Sequence, residues 1–306
     1  MTGETIEAFR RARQIPGLSV ALLREGTVVH AAGYGSASAE TVYQTASTGK
    51  QFTGALVLLA RDRGLLALDD PIALHLGEAP ATWSGITVRH LLTHTSGLSD
   101  SGYFALDFTR DYGDERIFDA IASAPLLAAP GDRWSYSNAG YVLLGFALGR
   151  LTGRFYGKLL KEWIFDPLEM TTARVMDGSG TFRGYRLVDG RPEPAEYVSP
   201  SLNRLADGSV LASVLDLARW DRALDSGVPR RHELWTPARL NDGAPCAYGM
   251  GWSLADTPRG RLAEHDGGWQ GFSSHIARWL DARLTAIVLA DLADVPAGEL
   301  AHSLLA

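Results

Sequence analysis

Ser47 and Lys50 stand three residues apart near the start of the stretch Tyr43–Gly64, YQTASTGKQFTGALVLLARDRG. On a helix that spacing is about 4.5 Å of rise and nearly a full turn, so both side chains share one face. A serine hydroxyl attacks a carbonyl when a neighbour takes its proton. A desolvated lysine can do that, whereas an arginine cannot. The chain has only three lysines, Lys50, Lys158 and Lys161, among many arginines, which a plain codon preference also explains. Phe52 and the run from Ala55 to Ala60 are apolar around the whole circumference, the pattern of a buried helix. Arg61, Asp62 and Arg63 return it to water, and Gly64 falls where a left-handed C-cap is expected. The pair therefore sits at a helix mouth, where unpaired N–H groups and the helix dipole favour an oxyanion. The ordinary alternative is that Ser47 simply caps the helix, and an S-x-x-K word also arises by chance.

Two further words carry chemical side chains. Tyr136-Ser137-Asn138 lies in APGDRWSYSNAGY just before a predicted helix, and a tyrosine there offers a second proton carrier. In isolation the word also reads as a turn with Asn138 capping the helix. His265-Asp266-Gly267-Gly268 lies in EHDGGWQGF at a predicted strand. It too has a plain reading, a satisfied strand histidine followed by a hairpin turn. His90 and His94 are four apart on a predicted helix over 86–95 and could share a face, as zinc ligands do. The zinc-protease pattern needs a glutamate after the first histidine, and Leu91 stands there, so no metal site and no cofactor are expected. Cys246 is the only cysteine and lies in APCAYG without a helix mouth or an adjacent base. It reads as neither nucleophile nor disulfide partner.

The elements that must position these words follow from periodicity. A short amphipathic helix is predicted over 4–13, broken by Pro16-Gly17, then a strand pair Leu18–Leu23 and Thr27–Ala32 around Glu25-Gly26. After the buried helix come predicted helices at 114–124, 139–151 and 155–164, and a Gly-, Pro-, Ser- and Asp-rich stretch over 177–207 that wraps the surface as loops or irregular strands. Helical spacing returns over 211–226, with Leu211, Leu215, Ala218 and Leu224 on the inner face. Strand character marks Gly251–Ala255, Arg261–His265, Phe272–Trp279 and Leu284–Ala290, and a last helix spans about 297–305. Strands at both ends with helices between predict an α/β (α+β) fold with one sheet completed by both termini. The sheet domain takes 1–64 and 208–306, and a helical domain 65–207.

The 306 residues suffice for a large core, and the 46% apolar and 21% charged composition is that of an ordinary globular protein. A net charge of −6, without a basic stripe, argues against nucleic acid as a partner. MTGETIEAFRRAR has no apolar signal core and no window reaches membrane-span length. The expectation is no membrane partner and a cytoplasmic protein as the chain stands, an exported form being open if a leader has been trimmed. Nothing here sets the oligomeric state.

Taken in order, Ser47-Thr48-Gly49-Lys50, Tyr136-Ser137-Asn138 and His265-Asp266-Gly267-Gly268, with LTHTSGL at 92–98 and the continuation Trp269-Gln270-Gly271-Phe272, strongly resemble the serine beta-lactamase and penicillin-binding-protein superfamily. The nearest branch is the class C beta-lactamase-like serine hydrolases, which include esterases, D-amino-acid-specific peptidases and acyltransferases. The likeness runs from about residue 15 to 290. It implies an antiparallel sheet flanked by helices, an inserted all-helical domain, and a cleft between the two. It implies that Ser47 is acylated by a small ester or amide, and that a desolvated Lys50 and Tyr136 act as base and acid. The backbone N–H groups of Ser47 and Gly268 would form the oxyanion hole, and Asn138, His265, Asp266 and Trp269 would contact substrate. True beta-lactamases carry Lys-Thr-Gly at the third word. Here His265-Asp266 weakens any pull on a substrate carboxylate, which favours neutral esters or amides, or substrates with a free amine, over penicillins and cephalosporins. If strand alternation turns Asp266 away from the cleft, that argument weakens. Beta-lactamase or D,D-peptidase activity, acyl transfer, and a ligand-binding descendant without catalysis are the alternatives.

Overall fold

The computed structural model describes residues 2–176, 182–227 and 231–305. Helix α1 (Thr2–Ala12) leads into strands β1 (Gly17–Arg24) and β2 (Thr27–Gly35), the short β3 (Tyr43–Gln44), and helix α2 (Lys50–Asp62). The middle of the chain contributes α3 (Ala73–Leu76), α4 (Val88–Leu92), α5 (Ser101–Phe104), α6 (Asp114–Ala122), α7 (Asn138–Thr152) and α8 (Tyr156–Leu160). Strands β4 (Arg174–Val175), β5 (Tyr185–Val188), β6 (Arg191–Pro194) and β7 (Val210–Ala212) follow, then α9 (Val214–Asp225) and α10 (Arg231–Leu234). The chain closes with β8 (Ser253–Thr257), β9 (Gly260–Trp269), β10 (Phe272–Trp279), β11 (Leu284–Ala290) and α11 (Ala297–Leu304).

The main sheet has six strands in the order β2-β1-β11-β10-β9-β8, so the two ends of the chain do complete one sheet. Its strand pairings are antiparallel. Both faces are covered, which is why β1 and β10 are buried at almost every position rather than at alternate ones. Leu18, Val20, Leu22, Ala277 and Val288 pack outward with Ile6 of α1 and Leu300 of α11. Ala21, Leu23, Ala263, Ile276 and Ile287 pack inward with α2, α7 and α9. Helix α2 lies in this inner core with every residue from Lys50 to Leu58 buried, as its all-round apolarity requires. Gly64 takes the left-handed conformation just past its end.

Several boundaries differ from the sequence reading. The predicted helix over 86–95 shrinks to Val88–Leu92, because Thr87 and His90 form a capping box at its start and His94 turns left-handed (φ 59°) beyond its end. Within 211–226 the first residues are strand β7, and Leu215 is only partly buried. Val214 and Leu217 take the inner places with Ala218 and Leu224. Residues 65–207 hold most of the helices but also β4 and the β5–β6 hairpin. Strand β7 joins β4 and β3 in a second small sheet. Of the stretch 177–207 expected to wrap the surface, residues 177–181 lie outside the described residues.

Candidate active site

Ser47 does not cap α2. It lies in a 3-10 turn over Ala46–Gly49, the N-cap is Gly49, and no side chain caps the helix. The turn is held from three sides. Thr45 N–H donates to the Val210 carbonyl at 2.8 Å, and the Thr45 carbonyl accepts from Thr48 Oγ1 and Ser274 Oγ, both at 2.6 Å. Ala46, just before the serine, has φ 48°, a left-handed conformation that costs an L-residue roughly 1–2 kcal/mol. This strain sits beside Ser47, where surrounding bonds over-determine the backbone. A Cβ at Gly267 would fall 2.4 Å from the Thr45 carbonyl oxygen and 2.9 Å from the Ser47 nitrogen, so β9 runs directly against the turn and only glycine fits.

Lys50 is fully buried at 0% exposure, and its ammonium has three acceptors: Ser47 Oγ at 3.2 Å, Asn138 Oδ1 at 2.7 Å, and the Asp207 carbonyl oxygen. Three acceptors match the three N–H bonds of a protonated lysine. Nζ also faces the rings of Tyr136, 5.0 Å to the centroid, and Tyr141, 5.4 Å. The Tyr136 hydroxyl oxygen is buried and has no hydrogen-bond partner among the described residues. Asn138 is the first residue of α7, and the cap is Ser137, whose Oγ accepts from Gly140 N–H at 3.1 Å. The alternative that Asn138 caps that helix is thereby set aside.

Two positioning residues escaped the sequence reading. Asp100 accepts from Ser137 Oγ at 2.7 Å, Asn138 N–H at 2.8 Å and Ala139 N–H at 3.0 Å, so it anchors the mouth of α7 and with it Asn138. His94 accepts from Ser137 N–H at 3.1 Å and packs against Tyr136, ring centroids 4.3 Å apart. Burial holds His94 well below the usual histidine range, with the Lys50 charge adding to it, so it is neutral. Asp100 stands two residues beyond LTHTSGL, and its place near that word was the available signal.

The third word separates into an inner and an outer part. His265 is 3% exposed. Its Nδ1 donates to the Asp266 carbonyl at 2.6 Å and its Nε2 accepts from Tyr248 Oη at 2.9 Å. Burial lowers its pKa to about 4, so it is a neutral, fully paired strand histidine. Asp266 is exposed on the other face of β9, opposite His275 of β10. Strand alternation therefore corrects the expectation that these two side chains contact substrate. The plain reading of Asp266–Gly268 as a hairpin turn is also set aside. Those residues lie inside β9, and Gln270 and Gly271, with φ 46° and 81°, make the two-residue turn.

Ser47, Asn138, Gly268 and Trp269 line a cavity of about 180 Å³, with Tyr103, Phe104, Leu202, Asn203 and Asp207 around them. Asn203 Oδ1 accepts from Gln44 Nε2 at 2.6 Å and Trp269 Nε1 at 3.1 Å, which fixes the indole in the wall. A larger groove of about 930 Å³ beside Asp114, Phe118, Arg150 and Tyr156 holds none of the predicted site residues. His90 and His94 do not come together as ligands: His90 accepts from Thr87 N–H through Nδ1, and His94 is held by Ser137. Among the described residues, the His, Cys, Asp and Glu side chains spaced for a metal are Glu264, His275 and His302, on the outer face of the sheet. Among the same residues no helix is long and apolar enough to cross a membrane.

A serine and a buried lysine at a helix mouth, beside an antiparallel sheet strand that supplies glycines, match the resemblance to serine beta-lactamases and penicillin-binding proteins drawn from the sequence. The chain belongs to the beta-lactamase family, whose profile matches residues 3–304. It is 32% identical over 276 residues to penicillin-binding protein 4* of Bacillus subtilis, covering 82% of this chain and 61% of that protein. It is 31% identical over 317 residues to the D-aminopeptidase of Brucella ovis, covering 93% and 59%. The chain thus spans about 60% of the length of these curated relatives. Among solved structures, the octameric penicillin-binding protein homologue from Pyrococcus abyssi superposes with a TM-score of 0.85 at 26% identity, covering 99% of this chain and 76% of that one.

Proposed function

We propose that the chain is a serine hydrolase that cleaves small esters or amides through an acyl-enzyme on Ser47, in a cleft between the sheet region 1–64 with 208–306 and the helical region 65–207. The observation that carries this reading is the buried Lys50 ammonium bridging Ser47 Oγ and Asn138 Oδ1. Ser47 Oγ bonds to the substrate carbonyl carbon as its proton passes into the Lys50–Tyr136 pair. With Lys50 protonated on its three acceptors, the pair takes up the serine proton when Tyr136 is the phenolate beside it, so that its unpaired oxygen becomes the phenol. The two residues share it as a coupled system. The carbonyl oxygen becomes an oxyanion held by the N–H groups of Ser47 and Gly268, where losing one such donor costs roughly 3–4 kcal/mol. As the bond to the leaving alcohol or amine breaks, the same proton goes to that group. Water then repeats the sequence on the acyl-enzyme.

Asn138, its oxygen taken by Lys50, presents its amide nitrogen to the substrate. Trp269 forms an apolar wall of the cavity. The family likeness and the D-aminopeptidase relative support amide substrates, and the absence of any third-word cation at the cavity supports little affinity for acidic ones. A fluorophosphonate probe tests the reading. It should label the wild type and not Ser47→Ala, and an unlabelled wild type would overturn it.

A further inference from the structure

Asp207 is the one acidic residue lining the 180 Å³ cavity that holds Ser47. It is half-buried, between the β7 strand that follows and the Lys50 amine, which bonds to its backbone carbonyl and not to its carboxylate. The carboxylate oxygen Oδ2 accepts from the buried Tyr103 hydroxyl at 3.4 Å, longer than an ordinary O–H···O bond. An ionised carboxylate has about four acceptor positions, so this contact and one from its own backbone N–H leave others free on a residue that lines the cavity. Asp100, the other carboxylate near it, is fully engaged with Ser137 and the amides of Asn138 and Ala139. Tyr103, Phe104 and Trp269 form aromatic walls around the same space.

We propose that Asp207 is a specificity-determining residue whose carboxylate receives the protonated α-amine of the substrate, so that the preferred substrates are amino-acid amides and peptides with a free N-terminus. This rests on the hydrolase reading of Ser47. A charge-assisted bond from an ammonium to a carboxylate in a recess is among the stronger polar contacts, and the aromatic walls add attraction for a cation. Burial raises the Asp207 pKa while the Lys50 charge opposes that, so an arriving ammonium relieves an under-compensated carboxylate. The cavity is smaller than a drug-sized site, which suits one residue beyond the scissile carbonyl.

The experiment compares kcat/KM for phenylalanine p-nitroanilide and its N-acetyl derivative on one preparation. The wild type should favour the free amine by about ten- to a hundred-fold. Asp207→Asn should lower that ratio at least tenfold, mostly through KM, and Asp207→Glu should restore part of it. The wild-type preference should also fade as pH rises past about 8, where an α-amine loses its proton. A second measurement needs no turnover: phenylalaninamide titrated calorimetrically into Ser47→Ala should bind, and Asp207→Asn in that background should abolish the binding. An unchanged ratio, or equal binding by both backgrounds, overturns the inference. If Ser47 takes no fluorophosphonate while the amine still binds through Asp207, the hydrolase reading falls and the amine subsite stands.

Discussion

Strand β9 has two faces with opposite electrostatics built from the same residue types. On the inner face the His265 ring nitrogens bond to Tyr248 and a backbone carbonyl, and burial lowers its pKa to about 4. On the outer face Glu264 accepts from His275 Nε2 at 3.1 Å and His302 Nε2 at 2.7 Å. Burial alone would raise the Glu264 pKa, but those two hydrogen bonds hold it below the usual range. One face supplies a neutral wall beside the Ser47 turn, and the other a polar clasp between the sheet and α11. The period-two alternation of a strand lets adjacent residues serve such different purposes. It also explains why a motif read as one unit divides into Gly267 and Gly268, which serve the turn and the cavity, and Asp266, which faces away.

The largest break in the comparison should come from the inner side. Ser47→Ala, Lys50→Ala and Tyr136→Phe should each lower ester turnover by orders of magnitude, and a double substitution should be little worse, because the three act as a unit. Steady-state kcat on a p-nitrophenyl ester measures this, and near-normal turnover by Lys50→Ala would remove the lysine from the mechanism. Gly267→Ala should follow, with at least a ten-fold loss in kcat. Its new methyl would fall within 2.9 Å of the Ser47 nitrogen and push the turn out of line, a displacement that costs about a hundred-fold in favourable cases. Labelling of Ser47 should slow in parallel.

Substrate preference sharpens the contrast further. The ester should be cleaved better than a chromogenic cephalosporin, and Asp266→Thr should leave that ratio within about three-fold, because Asp266 lies on the outer face. A strong shift toward the cephalosporin in this variant would place Asp266 in the cleft after all.

Acid should separate the two faces by pH window. The folded-state pKa of His265 is depressed to about 4 against 6.5 unfolded. Its contribution is therefore complete above pH 6.5 and is lost as pH falls toward 4. Glu264 is also depressed, so its contribution is present above the unfolded value of 4.5 and is lost at still lower pH. Denaturant unfolding across pH should show His265→Asn flattening the slope between 6.5 and 4, and Glu264→Gln flattening it only below 4.5. The smallest effect should be that of His302→Ala, no more than about 1 kcal/mol, since this partner is largely exposed and screened.

The buried helix α2, the paired terminal strands and the order of the three words were legible in the chain because each rests on local pattern: all-round apolarity, strand runs punctuated by Glu25-Gly26, and short motifs with fixed neighbours. Ser47, Lys50 and Asn138 are joined by hydrogen bonds with the Tyr136 ring beside the Lys50 amine, at a helix mouth and a helix start that sequence signals mark. His265 and Asp266 were not marked in that way, because a word of adjacent residues does not say which side of a strand faces the cleft. That depends on which face α2 covers and which α11 covers. Asp207 stood in a Gly- and Asp-rich loop with nothing to distinguish it from a turn residue, and Asp100 likewise. Both gain their significance from contacts with residues far away in the chain, Tyr103 and Lys50 for one and the start of α7 for the other. Residue types and local spacing thus determined what chemistry the chain can carry. Side-chain direction and long-range approach, which only packing sets, decided which carboxylate lines the cavity that holds Ser47.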